Sequence, residues 1–278
     1  MTGPTDAPAA FGLDAYLRRI AYDGPRTPTL DTLREIHRRH VAAIAFENLD
    51  PLLRRPIQLD AESLQRKLVE GGRGGWCYEQ NNTLHHALDA LGFRTTGLAA
   101  RVVWNRPAGA VTPRTHMLLR IDLDEPWIVD AGFGGLTLTG PLRLVPDVEQ
   151  ETPNGPFRLA PCDDGFELQA RLGDDWTPLY RFDLQSQQLA DYAVVNWYLS
   201  NHPQSHFLNA LMVARTDASG RFTLRDNVLT VRHADGRVDA RTLDSPAALR
   251  AALETEFRLV LPDGPELDAV LARFTTPA

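Results

Sequence analysis

A chain of 278 residues exceeds what one small core serves, and domain sizes of roughly 100–200 residues point to two or three packed units. A net charge of −7 argues against general nucleic-acid binding, which needs a basic face to neutralise phosphates. No apolar run reaches the ~18 residues that span a membrane. Two cysteines make no disulfide framework, so Cys77 and Cys162 read as free thiols in a reducing cytoplasm.

Residues 1–10, rich in Pro, Thr and Ala, have neither the basic nor the apolar segment of a signal peptide and read as a loose tail. Leu13, Tyr16, Leu17 and Ile20 then recur at helical spacing. Leu30, Leu33 and Ile36 do so behind a Thr29 cap. His37 and His40 stand among arginines on that second helix and are expected at its surface. Asp60 can cap a third helix through Leu64 and Leu68, stopped by Gly71-Gly72. It carries Lys67, the one lysine among 29 basic residues, a scarcity that reads as genome composition. A fourth helix opens near Cys77 and runs through Leu84, Leu88 and Leu91 to Gly92.

From Phe93 the pattern turns to β. Residues 93–104, 115–123 and 127–130 are strand-like, and shorter strands follow to about Arg181. A helical link covers 188–200. Residues 207–215 and 221–233 read as strands around turns at Ser219-Gly220 and Asp226-Asn227. Ser245-Pro246 starts a helix with Leu249, Leu253 and Phe257, and 263–274 forms a last one. This order gives an α+β protein in three regions: 1–92 helical, 93–187 β, and 188–278 mixed.

The most informative stretch is Gly71-Gly72-Arg73-Gly74-Gly75-Trp76-Cys77-Tyr78-Glu79-Gln80-Asn81. So many glycines suit a tight loop where backbone comes close to something. The helix that follows puts Cys77 in its first turn, where the macrodipole and free N–H groups stabilise a thiolate. The same N–H groups can serve as an oxyanion hole. The run is no phosphate loop, because no Gly-Lys-Ser/Thr follows. Glu79 would oppose the thiolate unless paired, and Arg73 is the candidate partner.

A catalytic cysteine needs an imidazole and a group to orient it. Of eight histidines, His116 alone sits in a strand that turns and returns to a buried carboxylate, Asp130. The hairpin places the two on neighbouring strands. Cys77, His116 and Asp130 are therefore the candidate catalytic residues, and acyl transfer the candidate chemistry.

Together these segments resemble the arylamine N-acetyltransferases. The resemblance rests on Arg73-Gly74-Gly75-Trp76-Cys77-Tyr78-Glu79-Gln80-Asn81, on Thr115-His116-Met117 and on Val129-Asp130-Ala131-Gly132-Phe133-Gly134. Ile44-Ala45-Phe46-Glu47-Asn48-Leu49 and the stretch from Asn196-Trp197-Tyr198 through Phe207 to Ala214-Arg215 support it. Trp76 stands where Tyr is more usual, and Asn201-His202-Pro203 replaces a hydroxyl-bearing run.

The resemblance implies a Cys-His-Asp triad on a core related to papain-like proteases and transglutaminases. The fold would comprise an N-terminal helical bundle (1–92), a β-barrel (93–187) and an α/β lid (188–278). Acetyl would pass from acetyl-CoA to Cys77 and then to an arylamine or arylhydrazine, with no metal. Phe46, Phe133, Phe207 and Val103 (or Val102) would line the acceptor slot. Thr115, Gly134 and Gly135 would contact CoA, and its phosphates would draw on cations among Arg101, Arg106, Arg215 and Arg225. The alternative is an amide synthase of the same family that closes a macrolactam from a carrier-bound acyl chain.

Overall fold

The computed structural model describes residues 11–107, 109–163 and 165–275. The segment expected to be a loose tail, 1–10, lies outside them. The helices α1 (Leu13–Arg19) and α2 (Leu30–Ala43) come first, then the short strand β1 (Phe46–Glu47), α3 (Leu49–Leu52), α4 (Ala61–Leu64) and α5 (Cys77–Ala90). The Thr29 and Asp60 caps form as the sequence suggests, accepting from the N–H groups of Thr32 and Ser63. Past α4 the helix widens into a π turn over Gln65–Glu70 before Gly71 ends it.

The strands β2 (Arg94–Val102), β3 (Arg114–Asp122), β4 (Pro126–Val129), β5 (Leu142–Arg143), β6 (Gln150–Thr152), β7 (Gly155–Cys162), β8 (Gly165–Leu172) and β9 (Asp175–Phe182) form one antiparallel sheet. Its spatial order is β5-β4-β3-β2-β9-β8-β7-β6. The sheet curls until its edges nearly meet: Gln150 of β6 bonds to both the N–H and the carbonyl of Arg143 of β5. Inside lie Leu98, Leu118, Ile128, Phe157, Leu168 and Leu179.

After α6 (Leu189–Asn201) come β10 (Met212–Asp217), β11 (Gly220–Arg225), β12 (Val228–His233) and β13 (Val238–Thr242), then α7 (Pro246–Thr255) and α8 (Pro265–Thr275). These strands make a second sheet, and β1 from the N-terminal region pairs with β10, Phe46 opposite Ala214. The two regions share a core in which Ala45, Leu49 and Leu52 pack with Leu211, Leu224, Leu253 and Phe257. No helix among the described residues is long and apolar enough to cross a membrane.

Two local expectations change. Residues 207–211 are not strand, because His206–Leu208 is a 3₁₀ turn, and Asn48 Nδ2 takes the carbonyls of Phe207 within it and Ala210 just beyond it at 2.9 and 2.7 Å. His37 and His40 are fully buried rather than at the surface. With Leu33 and Ile36 they form the inward stripe of α2, and the neighbouring arginines point away.

Candidate active site

The glycine-rich loop runs beside β1. Gly75 N–H donates to the Ala45 carbonyl and Glu47 N–H to that of Gly75, each at 3.2 Å. A Cβ on Gly74 would lie 2.1 Å from the Ala45 carbonyl oxygen, so no larger residue fits there. The loop thereby delivers Cys77 to the first position of α5. Glu79 completes the helix start: its Oε2 accepts from the Trp76 N–H at 3.1 Å.

Glu79 is paired, but not with Arg73. Lys67 Nζ reaches it at 2.6 Å, while Arg73 is taken by Glu47 and Asp50 at 2.6 and 3.1 Å. Lys67 also meets Asp50 at 2.6 Å, so five charges share one buried cluster. Burial outweighs Lys67 and pushes Glu79 up to about 7.

His116 comes from β3 and is 3% exposed. Its Nε2 lies 2.7 Å from Asp130 Oδ2, just past the end of β4, and the Cys77 side chain acts on the ring electrostatically as well. With Nε2 engaged by Asp130, Nδ1 is the nitrogen left for sulfur. Burial disfavours the imidazolium, but Asp130, by attraction and hydrogen bond, and then Cys77 outweigh it and push the ring up to about 10. Burial likewise raises Asp130, but His116, Asn81 and the Gly132 N–H more than reverse that and hold its carboxyl below the usual range.

Asp130 is fixed from all sides. Asn81 Nδ2 and Gly132 N–H donate to Oδ1 at 3.0 and 2.8 Å, and Thr137 Oγ1 and His37 Nε2 donate to its carbonyl at 2.7 and 3.2 Å. Tyr180 of β9 stacks obliquely on His116, with centroids 4.9 Å apart. Burial and then the Asp130 charge raise the Tyr180 hydroxyl, which stays neutral.

Rings surround this array. Phe133 meets His116 edge-on at 5.2 Å. Phe207 lies 6.4 Å from Phe46 and 5.1 Å from Trp76, and Phe46 abuts the space beside Gly134. Val103 is buried just past β2, its N–H bonded to the Leu179 carbonyl next to Tyr180. The Thr115 carbonyl is 3.8 Å from Cys77 Sγ. Gly134 and Gly135 open the 3₁₀ turn Gly134–Leu136 behind Phe133.

Residues 29–265 match the N-acetyltransferase family. The arylamine N-acetyltransferase of Escherichia coli (strain K12) is 42% identical over 272 residues, 95% of this chain and 96% of that one. The chain belongs to the arylamine N-acetyltransferase family. A Mycobacterium tuberculosis member is 39% identical over 94% of this chain and 99% of its own. Among solved structures, the Mycobacterium marinum arylamine N-acetyltransferase in complex with CoA gives a TM-score of 0.91 at 39% identity, covering 95% of this chain and 100% of that one. The M. smegmatis enzyme gives 0.92 at 40% identity, covering 96% and 100%.

Within this member of the family, three of the four arginines suggested for phosphates already have partners. Arg215 is buried, bonded to Asp217 and to the Glu256 carbonyl, and Arg101 is bonded to the Thr112 carbonyl. Arg225 meets Asp226 at 3.6 Å, and the His206 ring is lowered by burial first and then by the charges of Arg225 and Arg106. Sequence reasoning assigned no role to Asn81, His37 or Tyr180. Asn81 had a signal, since it lies one turn from Cys77 on the same helix. Tyr180 had none, because β9 reaches His116 only across the sheet.

Proposed function

We propose that the chain is an acetyl-CoA-dependent arylamine N-acetyltransferase working through a Cys77 thioester. The observation that carries this is His116 bonded to Asp130 at 2.7 Å while Cys77 Sγ meets the carbonyl of the adjoining Thr115 at 3.8 Å, in a chain of this family. His116 takes the thiol proton through Nδ1, and Asp130 holds the resulting imidazolium in place. The thiolate attacks the acetyl carbonyl of acetyl-CoA, and the N–H groups of the first turn of α5 stabilise the oxyanion. The C–S bond to CoA breaks, and the departing thiolate takes the proton from His116. An aromatic amine or hydrazine then attacks the Cys77 thioester. It gives a proton to His116 as the new C–N bond forms and the Cys77 thiolate leaves.

Phe46, Phe133, Phe207 and Val103 line the slot for the flat acceptor in this reading. Thr115, Gly134 and Gly135 meet the pantetheine arm, and Arg106 with His206 serves the phosphates, joined by Arg225 from its exposed pair with Asp226. The nucleophile arriving on a helix and its base on a sheet supports a core related to papain-like proteases. It also supports the division into 1–92, 93–187 and 188–278. A net charge of −7 supplies no basic face for an acidic acyl carrier, which favours acetyl-CoA over the amide-synthase alternative.

Intact mass after incubation with acetyl-CoA alone tests the proposal. One acetyl on Cys77, discharged by an arylhydrazine with multiple turnovers and parallel double-reciprocal plots, is expected. An unchanged mass, with loading only from a carrier-bound acyl thioester, would transfer the assignment to the amide synthase.

A further inference from the structure

Arg221 on β11 is 7% exposed, and among the described residues no carboxylate pairs with it. Its hydrogen bonds go to three main-chain carbonyls: Nη1 to Gly135 and Thr137 at 3.1 and 3.0 Å, and Nη2 to Asn154 at 3.2 Å. Burial first, then Arg232, lowers it to about 10, so it remains a cation at neutral pH. A buried guanidinium without a counter-ion is costly, and a structural tie alone does not require one. What the guanidinium supplies is reach, because its planar fork spans carbonyls on two separate loops where an ammonium would act as a point.

The loop it grips carries the site. Thr137, whose carbonyl accepts from Arg221, sends its own hydroxyl to the Asp130 carbonyl at 2.7 Å and receives the Phe133 N–H at 3.3 Å. Two residues along β11, the Thr223 methyl sits 2.6 Å from where a Cβ on Gly135 would lie. One strand of the second sheet thus acts on this loop at two points, by pulling on carbonyls and by pressing on Gly135.

We infer that Arg221 is a positioning residue for acetyl-CoA: from the second sheet it holds residues 133–137 in the shape that admits the donor to Cys77. The inference rests on the reading of Gly134 and Gly135 as donor contacts.

Arg221→Lys and Arg221→Met in the full chain test it, with two rates measured per folded molecule. Acetylation of Cys77 by acetyl-CoA should slow by about tenfold or more, chiefly through weaker donor binding, since displacement of about 1 Å costs up to ~10² in rate. Alkylation of Cys77 by iodoacetamide should stay within about twofold, because the triad keeps its own bonds to Asn81, Gly132 and His37. Acetylation at the wild-type rate would overturn the inference, and so would equal losses in both rates. If neither variant folds, Gly135→Ala takes their place. It should reproduce the donor-specific defect, and adding Thr223→Ser, which removes the opposing methyl, should restore loading; no restoration overturns the idea. A wild-type chain that acetyl-CoA never acetylates would refute the proposed function instead.

Discussion

Asn81 and Asp130 are joined by a 3.0 Å hydrogen bond that crosses from the helix bearing Cys77 to the end of β4. The same Nδ2 donates to the Met117 carbonyl at 2.8 Å, one residue from His116, and Oδ1 accepts from the Ala131 N–H at 3.0 Å. One amide therefore ties together the three segments that bear Cys77, His116 and Asp130. Asn81→Asp keeps the shape but sets a second carboxylate against Asp130. Single-turnover acetylation should fall by about 10²–10³, since misorientation of one group by an ångström is enough for ~10². Wild-type acetylation by Asn81→Asp would show that the tie is dispensable.

The proposed triad of Cys77, His116 and Asp130 should behave as one unit. His116→Ala and Asp130→Asn should each lower the acetylation rate by about 10⁴, and the double variant should lose little more than either alone. Fully multiplied losses would reduce Asp130 to a structural role. Iodoacetamide should modify Cys77 well before Cys162 at neutral pH, as read by peptide mapping.

Gly132 packs directly on Cys77: a Cβ there would sit 2.5 Å from the Cys77 Cα. Backbone cannot yield as a flexible side-chain tip can. Gly132→Ala should cost about 1–3 kcal/mol of stability by overpacking, read from denaturant unfolding. It should also slow acetylation, because the relief available is movement of Cys77 away from His116. An unaltered unfolding midpoint and rate would contradict this packing.

Acid stability offers a test of the buried histidines. Burial lowers His37 to about 4 and His40 to about 3, so both stay neutral in the fold. The unfolded chain protonates them near 6.5, binds more protons than the native state below that pH, and gains on it as pH falls toward 4. Each contributes a slope of about 1.4 kcal/mol per pH unit in that window. Glu79, raised to about 7, works in the opposite direction. The contribution of His116, raised to about 10, is complete below 6.5 and is lost only as pH rises through 10. In His37→Gln the Glu79 and His116 contributions remain, and that of His37 is gone, so its stability should depend less steeply on pH between 6.5 and 5 than the wild type's. Parallel curves for the two proteins would mean that His37 is not neutral in the fold.

Local pattern was legible where it is self-contained. The Thr29 and Asp60 caps, the glycine loop ending at Cys77 and the hairpin bringing His116 to Asp130 were all readable because a few adjacent residues determine them. What escaped depends on distant chain. Asn48 converts residues 207–211 from strand to turn from 159 positions away, and β1 pairs with β10 across a similar gap. His37 and His40 were misjudged by their arginine neighbours in sequence, whereas their neighbours along the helix stripe, Leu33 and Ile36, decided the matter. Lys67 displaced Arg73 as the partner of Glu79 because Glu47 and Asp50 had already claimed Arg73.

That lysine has a bearing on the intermediate's lifetime. A protein that stores acetyl as a thioester risks passing it to its own amines, and lysine side chains are the usual victims. Here Lys67 is the sole lysine, and its nitrogen is clasped by Asp50 and Glu79 at 2.6 Å each. Those carboxylates hold it protonated, with its lone pair occupied and unable to attack a carbonyl. No lysine side chain is left to intercept the stored acetyl group before an outside acceptor arrives.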